Sequence, residues 1–109
     1  MVRGVAFQKL DHADPGLLRA AADNLLDRQP GAEAAVVMGA VGDEGRVVVK
    51  TRKGGLSAAQ AFARVRSVAG GKGGGNDTLA QGGGFLVAEF DSIVSAVGDL
   101  VRPGDEDGR

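Results

Sequence analysis

The sequence predicts an α/β fold: a small single domain with a mixed β-sheet packed by about three helices. Val-rich runs of strand length alternate along the chain with stretches whose apolar residues recur every three to four positions. Pro and Gly punctuate the boundaries between them. A length of 109 residues with a hydrophobic share of 43% suits one modest core. With four Phe, no Tyr and no Trp, that core must be built from Val, Leu, Ala and Ile.

The first element is RGVAFQKL, residues 3–10, which alternates loosely and reads as a strand with Val5, Phe7 or their neighbours facing inward. Asp14-Pro15 then opens a helix, Asp14 as N-cap and Pro15 at the first helical position. Leu17, Leu18, Ala21, Leu25 and Leu26 hold the helical spacing until Pro30-Gly31 ends it. Next come AAVVMGAV at 34–41, the turn GDEG at 42–45 and RVVVKTR at 46–52, a β-hairpin by its Gly/Asp turn. Alternation sends Val47, Val49 and Thr51 to one face of the second strand. Arg46, Val48, Lys50 and Arg52 take the other, which would be basic unless a bulge breaks the alternation.

After the turn at Lys53-Gly54-Gly55, Ser57 caps a second helix carrying Ala58, Ala61, Phe62, Val65 and Val68. Arg64 and Arg66 fall near its C-terminal end, where positive charge suits the helix dipole. A glycine-rich segment follows, and FLVAEFDSIVSAVGDLV then reads as a final helix on Phe90, Ile93, Val94, Val97 and Val101, ended by Pro103-Gly104. The expected domain spans residues 1–102, followed by a disordered acidic tail at 103–109. No internal repeat or second domain is visible.

The absence of cysteine removes disulfides and thiolate metal ligands. No run approaches the ~20 apolar residues of a membrane span, and the N-terminus lacks the apolar centre of a signal peptide. A cytoplasmic protein without membrane association is expected. The single histidine, His12, has no nucleophile-elbow serine near it and is expected at a surface or cap. Carboxylates gather in a turn and in the tail, where solvation accounts for them. No catalytic residue, metal or cofactor is therefore expected. Net charge is only −1, yet no acidic residue lies between Gly45 and Asp77, while Arg46, Lys50, Arg52, Lys53, Arg64, Arg66 and Lys72 are basic. Such segregation can give a neutral protein a positive face for a polyanion.

The segment GGKGGGNDTLAQGGG, residues 70–84, holds eight glycines in fifteen positions. It fails as a P-loop, because Gly73 stands where Ser or Thr must follow Lys72 and Arg66 occupies the earlier glycine position. It fails as a dinucleotide fingerprint, because Asn76 stands where glycine is required and a helix, not a strand, precedes it. Too little chain follows for a linker to a second domain. The polar interruptions instead indicate close backbone approach.

The order Gly70-Gly71-Lys72-Gly73-Gly74-Gly75, Asp77, Ala80-Gln81-Gly82-Gly83-Gly84 resembles the glycine-rich signature of the C-terminal globular domain of alanyl-tRNA synthetases, a DHH-associated domain. The resemblance extends over nearly the whole chain, roughly residues 3–101. It implies a non-catalytic module that binds the tRNA elbow, helps join aminoacylation to editing and can contribute to dimerisation. The implied partner is tRNA, tRNA-Ala foremost, with a second copy or a synthetase as a further partner. Candidate RNA contacts are Arg52, Lys53, Arg64, Arg66, Lys72, Gly73, Gly74, Gly75, Asn76 and Gln81. Two departures stand out: Asn76 sits where Arg is common in the family, and the apolar Phe85-Leu86-Val87 replaces a polar start to the last helix. A domain excised from a synthetase and a free-standing paralogue both fit this sequence. The other reading, an oligomerisation or protein-interaction module, rests on that apolar tripeptide and the weak net charge.

Overall fold

The computed structural model describes residues 3–101. In chain order the elements are β1 (Val5–Leu10), α1 (Pro15–Arg28), β2 (Ala34–Val41), β3 (Glu44–Thr51), α2 (Ala58–Ala69), β4 (Lys72–Gly75), β5 (Leu79–Leu86) and α3 (Phe90–Val101). A short 3₁₀ turn, Val87–Glu89, leads into α3. The five strands form one mixed sheet in the order β1-β2-β3-β5-β4. Only β1 and β2 are parallel, so α1 is the crossover their pairing requires. The expected α/β domain with a mixed sheet and three helices is observed.

Local chemistry sets the boundaries much as the sequence suggests. The Asp14 carboxylate accepts from the backbone N–H groups of Gly16 and Leu17 at 2.9 and 3.2 Å, satisfying donors that α1 leaves open. His12 is a turn residue whose Nδ1 accepts from the Asp14 N–H at 3.4 Å. The Ser57 hydroxyl caps α2 by accepting from Gln60 N–H. The hairpin turn is tighter than expected, since Val41 and Glu44 are already paired and only Gly42 and Asp43 lie between them. Gly42 has φ +67°, the conformation such a two-residue turn demands.

Alternation along the strands divides the interior into two layers. On one side of the sheet, Val36, Met38, Val47, Val49, Ala80 and Phe85 meet α2 and α3 through Phe62, Val65, Ile93 and Val97. On the other, Ala35, Val37 and Val48 meet α1 through Leu18, Ala22, Leu25 and Leu26. Helix α2 lies over β3, β5 and β4, and α3 over β1 and β2, so their face is covered throughout. Helix α1 lies over β1, β2 and β3. Among the described residues, no helix covers the β5–β4 side of that face.

The main correction concerns the glycine segment, which is not a loop. It supplies β4 and most of β5, so the sheet has five strands rather than three. Glycine carries almost no β-propensity, and nothing in its composition reveals a strand that is held by its neighbours. Phe85 and Leu86 consequently end β5, and the last helix begins only at Phe90. Two smaller expectations also change. Val68 is 42% exposed, and Phe7 is 40% exposed, resting edge-on against Phe90 at 6.0 Å between centroids. The proposed helix end at Pro103-Gly104 and the acidic tail lie outside the described residues.

A β-bulge places Phe85. Between the pairs Gly45–Phe85 and Val47–Gly82, β3 has one residue, Arg46, whereas β5 has two, Gly83 and Gly84. Gly84 takes φ +79°, as a bulge built on a left-handed glycine requires. The extra residue reverses the alternation, so Phe85 joins the same layer as Ala80 and meets Phe62 edge-to-face at 5.6 Å. Phe85→Ala is expected to lower the unfolding free energy by ~3–5 kcal/mol. A double-mutant cycle with Phe62→Ala should give a coupling of ~0.5–1.5 kcal/mol beyond area loss. Urea denaturation of the four proteins measures both, and strict additivity would show that the ring pair contributes nothing specific.

Candidate nucleic-acid interface

The bare backbone has two distinct causes. In the antiparallel pair of β4 and β5, Lys72 stands opposite Gly83, Gly73 opposite Gly82, Gly74 opposite Gln81 and Gly75 opposite Ala80. A Cβ on Gly82 would lie 1.8 Å from the Lys72 carbonyl oxygen, one on Gly73 2.3 Å from that of Gln81, and one on Gly75 2.0 Å from that of Leu79. A Cβ on Gly71 would enter the Phe85 ring at 2.6 Å. These glycines are demanded by the fold itself. Gly74 and Gly83 are different. Neither has a positive φ, a Cβ on Gly74 would meet nothing within 4 Å, and one on Gly83 would only touch Arg46 at 3.7 Å.

These two open positions share a face. Ala80 belongs to the layer under α2 and α3, so Leu79, Gln81 and Gly83 face the α1 side, and their partners Gly74 and Lys72 lie in the same rows. This is the half of the sheet that α1 does not cover. Arg46 enters from β3, with its side chain against Gly83. Two cavities of about 520 and 310 Å³ adjoin at Gly83-Gly84, one lined also by Gly71 and Lys72, the other by Ala13, Val41, Glu44, Gly45 and Arg46. The result is a shallow glycine-floored groove bordered by the cations Lys72 and Arg46 and by the carboxylate of Glu44, with Gln81 two residues before Gly83 on the same face of β5.

The sequence-based candidates separate into groups. Lys72, Gly74 and Gln81 share the groove face, whereas Gly73 and Gly75, paired with Gly82 and Ala80, alternate toward the α2–α3 side. Arg46, which alternation along β3 already put on the groove face, belongs with the first three, because it lies beyond the cover of α1 and against Gly83 at the bulge. Arg52 is at the other end of β3, where Nε donates to Ala32 O at 2.8 Å and Nη2 to Leu26 O and Gln29 O at 2.8 and 3.1 Å. It satisfies carbonyls at and just beyond the C-terminus of α1. Lys50 pairs with Asp23 of α1 at 2.7 Å, and Val48 is buried beneath that helix. The basic face expected on β3 is therefore largely closed by α1, leaving Arg46 toward the groove.

Asn76 builds the β4–β5 turn. Its Oδ1 accepts from the N–H groups of Thr78 and Leu79, both at 3.0 Å. The same turn caps α2, because Asn76 O and Asp77 O accept from Ala59 N–H and Ala58 N–H. Asp77 O also accepts from the Thr51 hydroxyl at 2.8 Å. Lys53 and Arg66 are exposed, and Arg64 lines a cleft between α2 and α3 with Asp91, Ser92, Ser95 and Asp99. Among the described residues no group of three or more His, Asp or Glu side chains is placed to hold a metal ion. No helix there is long and apolar enough to cross a membrane.

The chain is thus a small α/β domain with a glycine-paired edge hairpin and a groove on one sheet face, and comparison with known proteins gives its family. Residues 3–102 match the DHHA1 domain, and the chain belongs to that family. It is 39% identical over 98 residues to an alanine–tRNA ligase of Methanospirillum hungatei and 33% identical over 99 residues to that of Sorangium cellulosum. These alignments cover 90% and 88% of this chain but only 10% and 11% of those enzymes. The chain thus spans about a tenth of the relatives it matches. It superimposes on the C-Ala domain of Aquifex aeolicus alanyl-tRNA synthetase with a TM-score of 0.76 and 26% identity, covering 92% of this chain and 91% of that one. The manganese-bound exonuclease RecJ shares the fold, with a TM-score of 0.69 at 14% identity over 23% of its chain. The resemblance to the synthetase C-terminal domain read from the glycine signature is supported.

The two kinds of glycine predict opposite responses to a methyl group. Gly73→Ala and Gly82→Ala should be strongly destabilised, whereas Gly74→Ala should be neutral or gain up to ~1 kcal/mol from a stiffer unfolded chain. Urea midpoints decide this, and equal losses at all three sites would remove the distinction. Arg52→Met removes the donor from Leu26 O and Ala32 O, while Gln29 O keeps the Ala32 N–H, and should cost ~1–3 kcal/mol, measurable by the same titration. A wild-type midpoint in that variant would show these bonds to be dispensable.

Proposed function

We propose that this domain is an RNA-binding module that recognises the folded tRNA backbone at the elbow and serves aminoacylation and editing without catalysing either. The observation carrying this reading is the pair Gly74 and Gly83, which no contact or dihedral within the chain requires to be glycine. A floor without side chains lets a sugar–phosphate backbone approach the sheet, while Lys72 and Arg46 stand on either side to neutralise it. Phosphate contacts of this kind read shape rather than base identity. The names of the related ligases favour tRNA, tRNA-Ala foremost, as the RNA, and a cytoplasmic setting accords with that partner.

The proposed contact set is Lys72, Gly73, Gly74, Gly75 and Gln81, with Arg46 added. Lys53, Arg64 and Arg66 contribute at longer range to the field that steers a polyanion. Arg52 and Asn76 serve by holding α1 and the β4–β5 turn in place. A second reading, self-association, is favoured by Val41 and Leu86, which are 61% and 49% exposed and lie in one row across Glu44. Light scattering that shows a concentration-independent monomer excludes it.

Fluorescence anisotropy with a tRNA transcript over a range of salt tests the RNA reading. Binding should weaken steeply with salt, and Lys72→Glu should lower affinity and reduce the magnitude of the log–log salt slope by about one. Gly74→Val, which fills the floor while leaving the fold intact, should weaken binding as well. Absence of binding by the wild-type domain at low salt overturns the proposal.

A further inference from the structure

Resting on the RNA-binding reading, the groove contains one more determinant. Among the described residues, the buried side-chain polar atoms without a hydrogen-bond partner are Arg46 Nε and Gln81 Oε1. Such groups are rare in folded proteins, and each calls for a partner such as an ordered water, an ion or a ligand. They belong to the same small area. Gln81 and Gly83 are alternate residues on the α1-facing side of β5, and the Arg46 side chain lies against Gly83 with Nη1 3.7 Å from the position of a Cβ there. Gln81 Oε1 is buried as it stands, but no atom lies within 4 Å of where a Cβ on its register partner Gly74 would be, so rotation of the side chain over that glycine would bring the amide to the groove.

The two atoms have opposite requirements. Arg46 Nε–H needs an acceptor and brings a positive charge, as does Lys72 across from Gly83. Gln81 Oε1 needs a donor. A phosphodiester supplies acceptors only, and deoxyribose adds no donor. A ribonucleotide carries both, because its 2′-hydroxyl is a donor fixed close to a phosphate at every step and independent of sequence. We infer that Gln81 is a ribose-reading residue: its Oε1 accepts from a 2′-hydroxyl while Arg46 and Lys72 hold the neighbouring phosphate, so that the groove selects RNA over chemically similar backbones.

The test compares one RNA hairpin with the same hairpin carrying 2′-fluoro riboses, which keep the A-form and remove the donor. Anisotropy competition with the wild-type domain should show the fluorinated hairpin binding about fivefold more weakly, the scale of one hydrogen bond. In Gln81→Met, of similar length and without the acceptor, that ratio should fall to about one, with affinity for the fluorinated hairpin unchanged. Equal affinities in the wild type overturn the inference and leave the RNA-binding reading standing. A ratio that persists in Gln81→Met also overturns it, because the hydroxyl is then read elsewhere. If neither hairpin binds at low salt, the RNA-binding reading itself falls and this inference with it.

Discussion

Strands β4 and β5 approach so closely that the Lys72 carbonyl oxygen lies where a side chain on Gly82 would begin, and much of the remaining architecture follows from that contact. It requires glycine at 73, 75 and 82, and with Gly74, which the contact does not demand, β4 has no side chain other than Lys72. Two anchors then set the ends of the hairpin, one polar and one apolar: the Asn76-Asp77 turn, whose carbonyls also cap α2, and Gly71 against the Phe85 ring. Because β5 is hydrogen-bonded to β3 as well as β4, the bulge at Gly83-Gly84 transmits the arrangement inward, turning Phe85 into the α2–α3 layer and setting Gly83 against Arg46. Core and candidate site are thus two faces of one strand.

The division of labour among the cations follows from which face α1 covers. Four positions of β3 alternate toward that helix, and three of them are consumed by it: Val48 by burial, Lys50 by Asp23 and Arg52 by carbonyls of and beyond the α1 C-terminus. Arg46 lies just past the helix and is directed at the glycine floor. A positive stretch in sequence therefore becomes partly structural and partly available, and the boundary is the edge of one helix.

Much of the fold was legible because it depends on local chemistry. Asp14-Pro15 and Ser57 announce two helix starts, the Val runs announce β2 and β3, and Gly42-Asp43 announces their turn. The glycine segment was legible as a family signature but not as two strands, since its backbone is held by neighbours that no pattern within it reveals. The site was legible in the same partial way. Lys72 and Gln81 stood inside the motif; alternation gave the face of Arg46, but its place beside them needed the strand order and the reach of α1. Telling Gly74 from Gly73 required knowing what each would strike.

Strand β4 ends the sheet with four exposed residues, three of them glycine. Such an edge presents backbone donors and acceptors with almost no side chain to keep another chain away, which in a longer strand would invite sheet-to-sheet aggregation. Brevity and the charge of Lys72 are the protection it has. The domain consequently combines the exposed main chain needed at its groove with colloidal safety only while β4 stays short, so an apolar extension of this edge would turn a recognition surface into a template for misassembly.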